Sequence, residues 1–231
     1  EAILDKPGVA LWMEMGLGKT VVTLTAIDQL IYDRLEISRA LIIAPKKVAE
    51  ATWQDETAKW AHLQHLRIST VLGTEKQRKE ALNAPADVYI INRENVAWLV
   101  HLLGRSWYFD MVVLDEASSF KNHAAQRFKA LKAVRPRIHK IVELTGTPRP
   151  NSLLDLWAQI YLLDQGERLG RYITHYRREY FWPTEYSYEP KDGAAEAVEG
   201  RIKDIVLSFK AADHLTLPEK ITEDIPVVLD K

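Results

Sequence analysis

The chain has 231 residues, 47% of them apolar and 27% charged. This is a globular composition with enough apolar material for one sizeable core, and it leaves no room for a collagen-like or linker-like chain. Thirty-one Lys and Arg against 32 Asp and Glu give a formal net charge of −1. A globally basic nucleic-acid binder is therefore excluded, while a local basic surface is not. With no Cys, disulfides, thiolate metal sites and Cys nucleophiles are all absent. No apolar run reaches the length of a membrane span, and no signal peptide opens the chain, so an intracellular protein is expected. The first residue is Glu1 rather than Met, which is expected of a fragment.

Short apolar runs recur at Val9–Met13, Ala40–Ala44, Arg67–Leu72, Val88–Ile91, Met111–Leu114 and Ile138–Leu144, separated by longer amphipathic stretches. The runs are rich in Val and Ile and do not alternate with polar residues, as expected of strands covered on both faces. Strand–helix alternation over residues 1–164 predicts an α/β domain with a mostly parallel sheet and helices on both faces. Ligands in such domains bind at the carboxyl ends of the strands. Residues 165–220 read as a small helical protrusion. Within it, Gln165–Pro190 is rich in Tyr and Arg, and Ala194–Ala212 is expected to form one amphipathic helix. Ile221–Leu229 reads as a terminal strand, returning to the first lobe or leading out of it.

The first run is followed by Glu14-Met15-Gly16-Leu17-Gly18-Lys19-Thr20 and then a helix. Glycines let a backbone wrap closely around phosphate, and the N–H groups at a helix start form an anion cradle. In that cradle Met15, Gly16, Leu17, Gly18, Lys19 and Thr20 would hold the phosphates, with Lys19 on the β and γ groups and Thr20 on Mg²⁺. The strict phosphate-loop pattern has Gly where Met13 stands; the Gly-x-Gly-Lys-Thr part is intact. A plain Gly-rich turn is the alternative. The fifth run leads into Asp115-Glu116-Ala117-Ser118. Asp115 is placed to hold Mg²⁺ and Glu116 to activate water; the competing role for Asp115 is that of a helix cap. The sixth run ends in Leu144-Thr145-Gly146-Thr147-Pro148.

Taken together these motifs resemble helicase superfamily two, and more narrowly the Swi/Snf family of ATP-dependent double-stranded DNA translocases. Glu14–Thr20 is similar to its phosphate loop. Leu41-Ile42-Ile43-Ala44-Pro45 with Trp53 and Trp60 is similar to its motif Ia region. Val113–Asn122 resembles its acidic box, and Leu144–Pro148 with Asn151, Leu154, Leu156 and Trp157 resembles its Thr-Gly-Thr-Pro motif and following helix. Ile205–Leu217 with Pro218-Glu219-Lys220 resembles the segment closing the family's first lobe.

The resemblance implies a RecA-like ATP-binding lobe using ATP and Mg²⁺, with Lys19, Asp115 and Glu116 catalytic, and with Ser118, Thr145, Gly146 and Thr147 coupling the nucleotide to DNA. It places DNA-backbone contacts at Pro45, Lys46, Lys47, Asn92 and Arg93. It also implies a second RecA-like lobe beyond this chain, so that the chain alone should hydrolyse ATP almost not at all. The family's acidic-box His is Ser118 here, and the paired Arg often found before the closing segment is Ser208-Phe209. The adenine-contacting glutamine motif is expected upstream of residue 1.

Two further features stay open. Residues 117–142 lack Asp and Glu but carry Lys121, Arg127, Lys129, Lys132, Arg135, Arg137 and Lys140, either a phosphate-tracking surface or a solvated helix face. The aromatics from Tyr172 to Tyr188 form either a small core or a stacking surface for bases. The alternatives in function are a restriction-type motor, a strand-separating helicase, and a non-motor phosphate-loop enzyme, which would leave Thr145-Gly146-Thr147-Pro148 unexplained.

Overall fold

The computed structural model describes residues 1–146 and 152–210. Thr147, Pro148, Asn151 and the expected strand Ile221–Leu229 lie outside the described residues. Nine strands are present among them: β1 Gly8–Met13, β2 Ala40–Ala44, β3 Ile68–Val71, β4 Val88–Asn92, β5 Met111–Asp115, β6 Lys140–Thr145, β7 Phe181–Pro183, β8 Tyr188–Pro190 and β9 Val206–Phe209. The helices are α1 Ala2–Asp5, α2 Lys19–Asp28, α3 Trp53–Lys59, α4 Glu75–Asn83, α5 Val96–Leu103, α6 Gln126–Val134, α7 Leu153–Asp164, α8 Ile173–Tyr180 and α9 Ala194–Ile202.

Seven strands form one sheet in the order β3-β4-β2-β5-β6-β1-β9, and all of its pairings are parallel. The six apolar runs of the sequence are six of these strands. Their period-two alternation divides the core. Ala10, Trp12, Leu41, Ile43, Val112, Leu114 and Ile141 face α5, α6 and α7. Val9, Leu11, Met13, Ala40, Ile42, Met111, Val113 and Val142 face α2 and the Trp53 side of α3. Buried on both faces, the strands have to be apolar throughout, which is why the runs do not alternate in the sequence.

The segment expected as one helix from Ala194 to Ala212 differs. The helix stops at Ile202, and Val206–Phe209 pairs with β1 as the seventh strand, in the register Ala10↔Val206 to Met13↔Phe209. Ile202, Ile205, Val206 and Phe209 do fall at helical spacing, but Val206-Leu207-Ser208-Phe209 is also a β-branched and aromatic run, and β1 offers it an unpaired edge. The protrusion is not wholly helical either, since β7 and β8 form an antiparallel hairpin. Of its aromatics, Tyr176, Tyr180 and Phe181 are buried, whereas Tyr172, Trp182 and Tyr186 are exposed.

The basic run 117–142 is not a continuous surface. Arg135 is buried and donates to the carbonyl oxygens of Leu162, Leu163 and Ile138. Those groups include the last carbonyls of α7, which a helix end leaves without partners. Lys140 donates to the Leu4 carbonyl at 2.6 Å and pairs with Glu36. Lys132 packs over the Tyr161 ring, and Lys121 pairs with Asp155 at 3.2 Å. Arg137 donates to the Gly104 carbonyl at 2.7 Å, so five of the seven cations have structural partners. Near Arg135, Glu143 is buried with neither carboxyl oxygen hydrogen-bonded, and burial pushes its pKa well above the usual carboxylate value.

Replacing Arg135 with Ala should leave buried carbonyls at the end of α7 without a donor. Urea denaturation should show a loss on the order of 3 kcal/mol, the scale of charge-assisted hydrogen bonds to buried groups. A stability equal to that of the parent would mean that water or a shifted helix end replaces the guanidinium.

Candidate nucleotide and nucleic-acid site

Because every pairing in the sheet is parallel, all strand carboxyl ends lie on one edge, and the sheet order sets which loops meet there. β6 lies between β1 and β5. Trp12 on β1 is level with Thr145, and Leu144 is level with Asp115 on β5. The glycine loop, Thr145-Gly146 and Asp115-Glu116 are therefore side by side, although about 95 residues separate the first from the last in sequence.

Gly16 and Gly18 have φ of 84° and 75° in the glycine loop. Only glycine adopts this left-handed region without strain. A Cβ on Gly16 would meet nothing within 4 Å, so the requirement there comes from backbone conformation and not from crowding. α2 starts directly after Gly18 with no side chain capping it, and its first N–H groups point out of the helix end toward an anion. Lys19 donates to the Met13 carbonyl at 2.7 Å and the Glu14 carbonyl at 3.2 Å. An ammonium has three donors, so these bonds fix its position and leave one N–H. Burial lowers the Lys19 pKa, while the charges of Asp115 and Glu116 oppose that shift. A Cβ on Gly146 would point to within 3.7 Å of Met15 Cγ and 3.9 Å of Lys19 Nζ. Thr20 occupies the second position of α2 and is half-buried.

Asp115 continues the alternation of Met111 and Val113 toward the α2 and α3 face. Its Oδ2 accepts the Trp53 indole N–H at 3.1 Å. Burial raises its pKa; the Trp53 bond and Lys19 oppose that rise, and Glu116 adds to it. Glu116 lies in the left-handed region at φ 58°, costly for a non-glycine residue and typical of functional turns. Its Oε1 accepts from Ser118 Oγ at 2.8 Å. Asp115 is thus not a helix cap. The four residues after Glu116 form a short 3₁₀ turn, Ala117–Phe120, entered through Glu116.

The loops after β2 and β4 adjoin at the same edge, with Ala44 level with Asn92. Pro45 is half-buried, and Lys46 and Lys47 are exposed. Asn92 is buried; its amide donates to Glu94 at 2.8 Å, and its oxygen accepts from Asn95 at 2.5 Å. The Arg93 Nε donates to Glu94 at 3.1 Å. Asn92 therefore shapes the turn that presents Arg93. Trp53 is the site residue whose role the sequence did not show. A Trp in the motif Ia region was legible, but its bond to Asp115 depends on the β2–β5 pairing, which no local pattern records.

The SNF2-related domain family matches residues 5–227. Putative protein p41 of Acyrthosiphon pisum secondary endosymbiont phage 1 is 37% identical over 98% of this chain and 52% of its own length. Helicase ssl-1 of Caenorhabditis elegans is 34% identical over 65% of this chain and 6% of its own length. The Sulfolobus solfataricus SWI2/SNF2 ATPase core, solved in complex with double-stranded DNA, superposes with a TM-score of 0.70 at 25% identity, covering 88% of this chain and 40% of that one. The chain thus spans about half the length of the phage relative and far less of the eukaryotic one. Among the described residues no helix is long and apolar enough to cross a membrane. The chain belongs to the SNF2-related domain family, with the RecA-like fold of the first lobe of a helicase-like ATPase.

Proposed function

We propose that this chain is the first motor lobe of an intracellular ATP-dependent translocase on double-stranded DNA. It would work with a second RecA-like lobe that completes the nucleotide site. The observation that carries the reading is the meeting of three motifs on one sheet edge: the uncapped glycine loop with Lys19, the Asp115-Glu116 pair, and Thr145-Gly146 between them.

The residues present fit Mg-ATP. The loop offers N–H donors and the Lys19 ammonium to phosphate oxygens. Thr20 and Asp115 offer hard oxygen ligands of the kind Mg²⁺ takes, one or two from protein and the rest from phosphate and water. Bound Mg²⁺ would neutralise charge developing on the transferred phosphoryl oxygens. Asp115 is held by Trp53 through Oδ2 and would offer its carboxylate to the ion. Glu116 is oriented by Ser118 and takes the proton of the attacking water. Lys46 and Lys47, with Arg93 on the neighbouring loop, would hold the DNA backbone without reading bases. The Sulfolobus relative, a SWI2/SNF2 ATPase core in complex with dsDNA, supports the choice of duplex DNA.

Lys19→Ala in the complete protein should weaken nucleotide binding and abolish turnover, as read by a fluorescent ATP analogue and by phosphate release; parental hydrolysis would refute the assignment. Glu116→Gln preserves shape and removes the base. ATP should still bind while hydrolysis falls roughly 10²–10⁴-fold, the scale of general-base loss, and persistent hydrolysis would move that role to another group. The Lys46→Ala, Lys47→Ala pair should weaken duplex binding equally for all sequences and flatten its salt dependence, because fewer counterions are released. A loss confined to some sequences would show that these lysines read bases.

A further inference from the structure

Trp53 sits where two parts of the proposed motor meet. Lys46 to Lys59 forms one helical stretch whose middle, Val48–Thr52, is wound as a π turn. Lys46 and Lys47 begin the stretch at the carboxyl end of β2, exposed on the face proposed for DNA. Ala49, Trp53 and Thr57 are buried, four residues apart, and Ala49 and Trp53 join the core on that face of the sheet. Trp53 is 1% exposed among otherwise apolar neighbours. A buried indole N–H needs an acceptor, and this one has Asp115 Oδ2. The bond spans from the helix after β2 to the end of the adjoining strand β5.

We propose that Trp53 is a positioning residue for Asp115, and that the helical stretch carrying it links the Lys46–Lys47 loop to the nucleotide site. This rests on the motor reading above. The indole N–H takes one lone pair of Oδ2 and restrains the carboxylate beside Lys19 and Glu116. Ala49 and Trp53 hold the stretch to the core, and its N-terminal end carries the exposed lysines. A displacement of that end by a phosphate backbone moves Trp53 and hence the carboxylate. A π turn, Val48–Thr52, lies between them, and such turns recur at functional sites.

Trp53→Phe keeps an aromatic ring and removes only the donor. In the complete protein the Mg²⁺ concentration for half-maximal ATP hydrolysis should rise about tenfold, the lower end of what loss of a ligand-orienting partner costs. Stimulation by duplex DNA should fall while affinity for the duplex stays at the parental value. The same protein with ¹⁵N-labelled tryptophan gives a readout free of turnover. The Trp53 indole resonance, identified by sequential assignment of the parent, should move in Asp115→Asn and again when a short duplex is added to the parent. This measurement also stands if the Phe variant folds poorly. Parental Mg²⁺ dependence in a folded Trp53→Phe, or an indole resonance indifferent to Asp115→Asn, overturns the positioning role. An indole resonance indifferent to duplex DNA, or parental DNA stimulation in Trp53→Phe, overturns the link. Either result with hydrolysis still abolished in Glu116→Gln leaves the motor reading in place; hydrolysis persisting in Glu116→Gln would overturn Glu116 as its base.

Discussion

Parallel pairing constrains everything else in this molecule. A parallel strand cannot be joined to its neighbour by a tight turn, so each strand needs a helical crossover, and each crossover begins at the same edge of the sheet. A chain of motifs that are far apart in sequence thereby becomes a ring of loops close together in space. The strand order decides which loops touch. β6, inserted between β1 and β5, sets Thr145-Gly146 between the glycine loop and Asp115-Glu116, and across that one strand Lys19 and Asp115 still act on each other's charge.

That insertion has a cost at the opposite end of the same strand. β6 is central and covered on both faces, yet it carries Lys140, Glu143 and Thr145, all buried. Lys140 reaches out to the Leu4 carbonyl and Glu36, and burial pushes the Glu143 pKa well above the usual carboxylate value. Arg135 lies nearby, but its guanidinium donates to the end of α7 and not to Glu143. The guanidinium ties the crossover helix that follows β6 to the turn that precedes it, so a residue that reads in sequence as part of a cationic surface instead closes the β6 unit.

Much of the fold was legible because burial on two faces leaves an unambiguous trace. Six strands stand out as Val- and Ile-rich runs bounded by polar sequence. β9 was not legible for a physical reason: four residues at an exposed edge satisfy helical and extended periodicity equally, and only the free edge of β1 decides between them. In the candidate site, Gly16, Gly18, Lys19 and Asp115-Glu116 stood out because each belongs to a short local pattern, and the parallel sheet brings these patterns to one edge. Asn92 was readable as a position but not as a role, since its bonds to Glu94 and Asn95 depend on how the turn closes. The basic run misled because charge in sequence carries no information about which carbonyl or carboxylate stands opposite in space.

Ser118 bears on how the proposed site would communicate. The family pattern has a histidine there, whose ring is long enough to extend beyond the acidic turn. A serine hydroxyl is not. Here it donates to Glu116 two residues before it, at 2.8 Å, and so is used inside the acidic box. A residue occupied in orienting the candidate base cannot also span to the loops after β2 and β4. Any coupling between those loops and the nucleotide edge has to run through groups that physically bridge β2 and β5. Trp53 is such a bridge: its helix begins at Lys46 and Lys47, and its indole ends on Asp115. The loss of reach at one position and a bond at another are then complementary. The short side chain bonds the candidate base, and the buried indole holds the carboxylate proposed for the metal, from the side on which DNA is proposed to lie.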